Sequence, residues 1–176
     1  VLWLKGALSD LIKNGLAIWL VSHRFEELVP EITHVLCLKS GEVFAQGWRS
    51  QVLIPEVMEG LYENVELKKT HFEKNKSPLE KNETLIKPYL SDPLTESNVK
   101  NTIIWMRNVN VNYDEKIVLQ NFNWSVEQKE NWKIIGSNGS GKSTLLSLIC
   151  GENLQAYANE IYLFGRRRGS GESIWD

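Results

Sequence analysis

Residues 132–151, WKIIGSNGSGKSTLLSLICG, read as a strand, a glycine-rich loop and a helix, and this reading decides the fold. Ile134 and Ile135 close a β-prone run, and Leu145, Leu148 and Ile149 recur at helical spacing until Gly151 caps the helix. Between them, Gly136, Ser137, Asn138, Gly139, Ser140, Gly141, Lys142 and Ser143 fit the phosphate-binding pattern G-x-x-x-x-G-K-[ST], with Thr144 following in the helix. The chemistry explains the residue types. Glycines bring backbone N–H groups against phosphate oxygens, Lys142 reaches the β- and γ-phosphates, and the Ser143 hydroxyl is placed to ligate Mg²⁺. The helix beginning near Lys142 adds about half a positive charge at its N-terminus. A chance match in a glycine-rich surface loop would lack the flanking strand and helix.

The 176 residues suggest one or two domains, and an apolar fraction of 42% suffices for a core. A net charge of −2 argues against bulk nucleic-acid binding. Cys37 and Cys150 both lie in apolar segments, which predicts no disulfide framework and a reducing compartment. The longest apolar run, Leu16–Val21, is far short of the ~20 residues a membrane helix needs. The chain starts at Val1 with a helix already under way, Leu4, Leu8, Leu11 and Ile12 sharing one face, which predicts a segment of a longer protein.

Asn14-Gly15 supplies a helix cap, and Leu16–Val21 reads as a strand buried on both faces. His23 follows it. A histidine there either caps the helix that Arg24 begins or contacts a ligand at the carboxyl end of a parallel strand. Phe25, Leu28 and Val29 make that helix amphipathic up to Pro30. His34–Leu38 and Val43–Ala45 form a hairpin across Lys39-Ser40-Gly41-Glu42, Gly47 ends it, and Arg49–Tyr62 is a helix disturbed at Pro55.

Residues 63–101 are rich in Lys, Glu, Asn, Ser and Pro without apolar periodicity, which marks a linker. His71 stands there without companions at metal-ligand spacing and reads as a solvated residue. Ile103–Met106, Val109–Tyr113, Val118-Leu119 and Phe122–Val126 then continue as strands, and Glu127–Asn131 turns into the phosphate-loop strand. Tyr113 is open to two readings, a core tyrosine or a ring that stacks on a nucleotide base.

From these residues a resemblance follows. Tyr113, Val118-Leu119 and GSNGSGKSTLL are similar to the start of an ABC-type ATPase cassette, while LAIWLVSHRFEEL and THVLCLKSGEVFAQG resemble the end of another. The ending NEIYLFGRRRGSGESIWD is similar to the second cassette of tandem molybdate-transport ATP-binding or photorepair proteins. The resemblance implies an α/β fold of phosphate-loop NTPase (ABC cassette) fragments, with an antiparallel β subdomain in the second cassette. It divides the chain into residues 1–62, the end of a first cassette, a linker at 63–101, and residues 102–176, the ATP-binding start of a second. It makes Tyr113 the adenine-stacking aromatic and His23 the γ-phosphate sensor, with ATP and Mg²⁺ as cofactors. Each such histidine serves its own cassette, so the resemblance places His23 away from a nucleotide at Gly136–Ser143. The composition break at 63–101 predicts that residues 1–60 pack separately.

Two features stand out against the family pattern. Where cassettes carry Gly-Glu before the phosphate-loop strand, this chain has Lys129-Glu130, so the turn requires another conformation or a strained lysine. Arg166-Arg167-Arg168 reads as an exposed, solvated loop, the alternative being a phosphate or nucleic-acid contact.

The family's signature segment, metal-carboxylate strand and catalytic glutamate have no counterpart here, so the segment is expected to bind ATP without hydrolysing it, hydrolysis belonging to the intact protein. The resemblance favours a transport-linked ATPase in the cytoplasm, at the inner face of the membrane where a separate permease binds it. Its other partners are ATP and the remaining cassette halves, with nucleic acid not expected. A soluble tandem ATPase acting on nucleic acid or another macromolecule is the second reading, and an unrelated phosphate-loop kinase the third.

Overall fold

The computed structural model describes residues 2–22, 29–62 and 101–169. Trp132–Gly136 (β6) is its centre, a five-residue strand buried throughout. On one side it pairs in parallel with Trp19–Val21 (β1), and on the other with His34–Lys39 (β2). Glu42–Trp48 (β3) completes the order β1-β6-β2-β3. The separate packing expected for residues 1–60 is therefore corrected. The phosphate-loop strand comes from the far end of the chain, yet its backbone groups are satisfied by strands from residues 1–60. A strand buried on both faces needs parallel neighbours on both edges, and these are the ones it has.

Side-chain alternation gives each face its own core. Leu36, Leu38 and Ile134 join Val109, Val111, Phe122, Trp124, Leu145 and Leu148 in one cluster. Val35, Cys37 and Ile135 face the other way, against Val52, Val57 and Leu61. Each fully buried isoleucine or leucine stabilises the fold by about 1.5–3 kcal/mol. Cys37 has no exposure, and burial pushes its thiol up to about 12.

The second sheet is antiparallel in the order β5-β4-β7-β8, formed by Lys116–Glu127 (β5), Thr102–Tyr113 (β4), Glu160–Leu163 (β7) and Arg166–Arg167 (β8). This is the antiparallel β subdomain that the sequence predicts. The short strands read in it fuse into two of twelve residues each. Bulges at Asn108 (φ 48°) and Asn121 (φ 43°) absorb the breaks, and neighbouring asparagines satisfy the backbone there. Asn123 Oδ1 accepts from the Asn108 N–H at 3.0 Å, and Asn110 Oδ1 from the Asn121 N–H at 2.9 Å.

Other expectations change in detail. The helix Leu2–Lys13 (α1) is present, but Leu4 and Leu11 remain 47% and 44% exposed. The continuous strand expected over Leu16–Val21 shrinks to Trp19–Val21, half-buried, because it stands at the edge of the sheet among the described residues. The β2–β3 turn has positive φ at both Ser40 (51°) and Gly41 (84°), the geometry that matches the twist of a two-residue hairpin. Gly47 lies within β3 rather than ending it. The helix expected over Arg49–Tyr62 is two, Arg49–Val52 (α2) and Pro55–Tyr62 (α3), since proline fits the first helical position and not the interior. Residues 24–28 of the helix expected from Arg24 and residues 63–100 of the linker expected at 63–101 lie outside the described residues.

Asn131, buried just ahead of β6, fixes the register of three strands. Its Oδ1 accepts from the Ile18 N–H at 3.0 Å, and its own N–H donates to Thr33 Oγ1 at 3.0 Å. Beside it His34 is sandwiched between Trp48 and Trp132, ring centroids 4.4 and 4.9 Å away. Its Nε2 is 3.3 Å from Glu130 Oε1. Burial between the indoles outweighs the attraction of Glu130 and Glu127 and lowers the imidazole's pKa.

Lys129 adopts φ 68°, so the Lys129-Glu130 turn keeps a left-handed backbone at the cost of strain on a residue with a Cβ. Replacing it with glycine relieves that strain while raising the entropy of the unfolded chain. Lys129→Gly is expected to raise unfolding stability by about 0.5–1 kcal/mol, read from urea denaturation; unchanged or lower stability would contradict the strain. A histidine with a depressed folded pKa binds its proton more readily when unfolded. The parent is thus expected to lose stability as pH falls below about 6.5, and His34→Gln to show a weaker loss between about pH 7.5 and 5.5. Identical pH slopes would refute a neutral, buried His34.

Candidate functional site

The loop after β6 and the helix Lys142–Cys150 (α4) form the site. Gly136 enters it with no room for a side chain, since an added Cβ would strike the Leu38 carbonyl oxygen and stand 2.5 Å from Ser140 Oγ. Ser137, Asn138 and Gly139 form the exposed rim, whereas Ser140 is buried beneath them. Gly139 has φ +80° with no atom within 4 Å of where its Cβ would stand, so the loop is open there toward a ligand.

Gly141, at φ 104°, is the N-cap of α4, and no side chain caps that helix. The first amides of a helix are orphan donors that a capping side chain or a ligand must satisfy. An uncapped N-terminus facing an open glycine loop suits phosphate oxygens. Lys142 turns back across the loop and donates to the carbonyls of Gly136 at 2.8 Å and Ser137 at 2.7 Å. Burial lowers its pKa. A bound polyanion would supply the counter-charge that these neutral carbonyls do not.

Ser143 is exposed in the first turn of α4, with Thr144 half-buried behind it. The Ser143 hydroxyl is thus accessible at the mouth of the loop. Among the described residues no three His, Cys, Asp or Glu side chains converge as a metal site, so any cation there would depend on Ser143 and the phosphates themselves.

The structure brings residues 136–144 together but leaves Tyr113 with its own support. Tyr113 ends β4, 49% exposed, and its hydroxyl accepts from Asn153 Nδ2 at 2.9 Å. Asn153 had no signal as a partner of Tyr113 in the sequence. It caps the short 3-10 turn Leu154–Ala158 through Gln155, and only the fold sets it against the tip of β4. The β4–β5 hairpin reaches the loop itself through Leu119, whose Cδ2 would lie 2.6 Å from a Cβ on Gly141.

His23 lies outside the described residues. The strand before it does not: Val21 is in register with Ile134, and the Ser22 N–H donates to the Ile134 carbonyl at 3.1 Å. β1 therefore runs beside the strand that opens the loop. Of the three arginines, Arg166 and Arg167 are exposed, while Arg168 donates from Nη2 to the Ile149 carbonyl at 2.9 Å near the end of α4. A cation at a helix C-terminus completes the dipole, which accounts for Arg168 without a ligand.

Comparison with known proteins places these features in a family. Residues 119–172 match the family model described as ABC transporter. The ABC transporter ATP-binding protein ModF of Escherichia coli is 32% identical over 169 residues, covering 96% of this chain and 32% of that protein. An uncharacterized ABC transporter ATP-binding protein of Schizosaccharomyces pombe is 33% identical over 159 residues, covering 88% of this chain and 27% of its own length. The uncharacterized ABC transporter ATP-binding protein YmeB of Lactococcus lactis is 42% identical over 71 residues, 40% of this chain and 27% of its own length. The chain thus spans about a third or less of these relatives, at 32% and 27%. No solved structure matches it.

The glycines separate space from backbone strain. Gly139→Ala meets no atom and is expected to cost only the left-handed strain, about 1–2 kcal/mol. Gly136→Ala must displace the Leu38 carbonyl or Ser140 and is expected to cost more, about 2–4 kcal/mol. Thermal unfolding of both variants checks the order, and the reverse order would refute this account of the loop.

Proposed function

This chain belongs to the ABC-type ATPases, a family of ATP hydrolases, and on that premise we propose that Gly136–Thr144 holds the phosphates of ATP. The observation that carries the proposal is the uncapped N-terminus of α4 behind an open glycine loop with Lys142 held across it. Loop amides and the helix dipole would take the phosphate oxygens, Lys142 would leave its carbonyl partners for the β- and γ-phosphates, and Ser143 would ligate Mg²⁺. Tyr113, its ring half-exposed and its hydroxyl anchored, is proposed to stack on adenine. His23 is proposed as the γ-phosphate sensor of its own, first cassette rather than of a nucleotide at Gly136–Ser143; the family resemblance supports this.

At the level of the intact protein, residues 1–62 would close one cassette, 63–101 would link, and 102–176 would open the next. The intact protein would hydrolyse ATP and couple it to transport, a reading supported by the name of the Escherichia coli relative, an ABC transporter ATP-binding protein; the molybdate type rests on the sequence resemblance alone. No helix among the described residues is long and apolar enough to cross a membrane; on the family resemblance, transport would use a separate permease, with this protein on the cytoplasmic side. The remaining cassette halves would supply the signature segment, the metal carboxylate and the catalytic glutamate. Family membership removes the unrelated phosphate-loop kinase.

Titration of a fluorescent ATP analogue with Mg²⁺ into the folded chain tests the site. Charge-assisted hydrogen bonds of about 1.5–3 kcal/mol predict that Lys142→Ala weakens binding by about 10- to 100-fold. Tyr113→Ala, losing only stacking, is expected to weaken it less. Neither parent nor variants should release phosphate at a useful rate. Equal affinity for parent and Lys142→Ala would refute the assignment, and rapid hydrolysis would refute the division of labour between segment and intact protein.

A further inference from the structure

We infer that Gly41, in the β2–β3 turn, is a positioning residue for the phosphate loop and acts on it through the Val118-Leu119 backbone; the inference rests on the nucleotide reading of that loop. Gly41 has φ +84°, and a Cβ there would lie 2.5 Å from the Val118 carbonyl oxygen, 3.0 Å from its carbon and 3.4 Å from Leu119 Cα. The turn is also tied to β5, because the Gln120 N–H donates to the Gly41 carbonyl at 3.0 Å. On the far side, the same Val118 oxygen would stand 3.0 Å from a Cβ on Gly141, and Leu119 Cδ2 only 2.6 Å. Val118-Leu119 is thus wedged between two left-handed glycines, one in the hairpin turn and one at the N-cap of α4.

The obstacle at Gly41 is backbone in a paired strand, not the movable end of a side chain, so it cannot yield without shifting β5. Leu119 is fully buried and paired with Val111, which leaves the push directed toward Gly141 and the first amides of α4. The other end of the loop is gauged by the same hairpin, since the Leu38 carbonyl abuts Gly136. Gly41 touches no phosphate. It sets where the donors stand, and displacement of a binding group by an ångström is enough to cost an order of magnitude or more.

The test uses the 176-residue chain and the fluorescent ATP analogue with Mg²⁺. Gly15→Ala is the control, because Gly15 has φ +90° and nothing within 4 Å, giving the same backbone strain away from the loop. Gly41→Asn is the second variant, since asparagine tolerates positive φ while retaining the Cβ. At temperatures chosen for equal folded fraction, Gly41→Ala and Gly41→Asn are expected to bind about 10-fold more weakly than parent, with Gly15→Ala unchanged. A merely structural role would lower stability in Gly41→Ala and Gly15→Ala alike and leave affinity at matched folding untouched, which would overturn the inference. If the Gly41 variants do not fold, amide exchange in the parent decides: nucleotide should slow exchange at Gln120, and unchanged exchange there refutes the coupling. Failure of the parent to bind, or of Lys142→Ala to weaken binding, defeats the nucleotide reading itself. Normal loss in Lys142→Ala with parent-like Gly41 variants defeats only the role of Gly41.

Discussion

Everything else in this structure depends on the parallel pairing of Trp132–Gly136 between Trp19–Val21 and His34–Lys39. A strand buried on both faces cannot be left at a sheet edge, since that exposes side chains as well as unpaired amides. Once it is central, its two faces demand two layers. The antiparallel sheet and α4 cover one, and α2 and α3 the other. Asn131 then prevents slippage by bonding the Ile18 N–H on one flanking segment and the Thr33 hydroxyl on the other, immediately ahead of the strand. A slip by one residue would exchange the two faces of β6, moving Ile134 and Ile135 into each other's clusters.

The same packing leaves a specific deficit. Folding satisfies the backbone of β6 through its neighbours but leaves the start of α4 without a side-chain cap and turns Lys142 onto two neutral carbonyls. Partial burial of that ammonium among neutral dipoles lowers its pKa. An anion would satisfy the helix amides and the ammonium at once. The site is therefore what remains when the core has been completed, and its rigidity comes from glycines whose missing Cβ atoms let Leu38, Val118 and Leu119 approach.

Much of this was legible in the sequence, for reasons that are local. The glycine pattern, the flanking strand and the helical spacing of Leu145 and Leu148 all lie within residues 132–151, where backbone rules operate over a few residues. The hairpin turn at Ser40-Gly41, the break at Pro55 and the strain at Lys129 were legible for the same reason. Pairings between distant residues carry no local trace. Nothing near Asn153 announces Tyr113, and the alternation of Val109–Tyr113 shows a strand but not the bulges that Asn108 and Asn121 create. The main error, packing residues 1–60 apart, came from inferring spatial separation from the composition of the intervening 63–101, although composition constrains order and not pairing.

Shared pairing also ties ligand binding to the assembly of the two pieces. β6 feeds the phosphate loop directly, and β1 and β2 are the only strands hydrogen-bonded to it among the described residues. Separating residues 1–60 would strip both edges of the strand that ends at Gly136, so a nucleotide that binds the assembled loop but not the separated one must stabilise the pairing. The size of that effect follows from mass action, about 2.7 kcal/mol at a ligand concentration 100 times the dissociation constant. Linkage is reciprocal, so on the proposed nucleotide reading whatever loosens β1 or β2 from β6 would weaken nucleotide binding in turn. The glycine loop therefore cannot be treated as a self-contained motif here, because the strand that leads into it is held in a sheet built from residues about a hundred positions earlier in the chain, and any affinity for the proposed nucleotide would include the energy of that sheet.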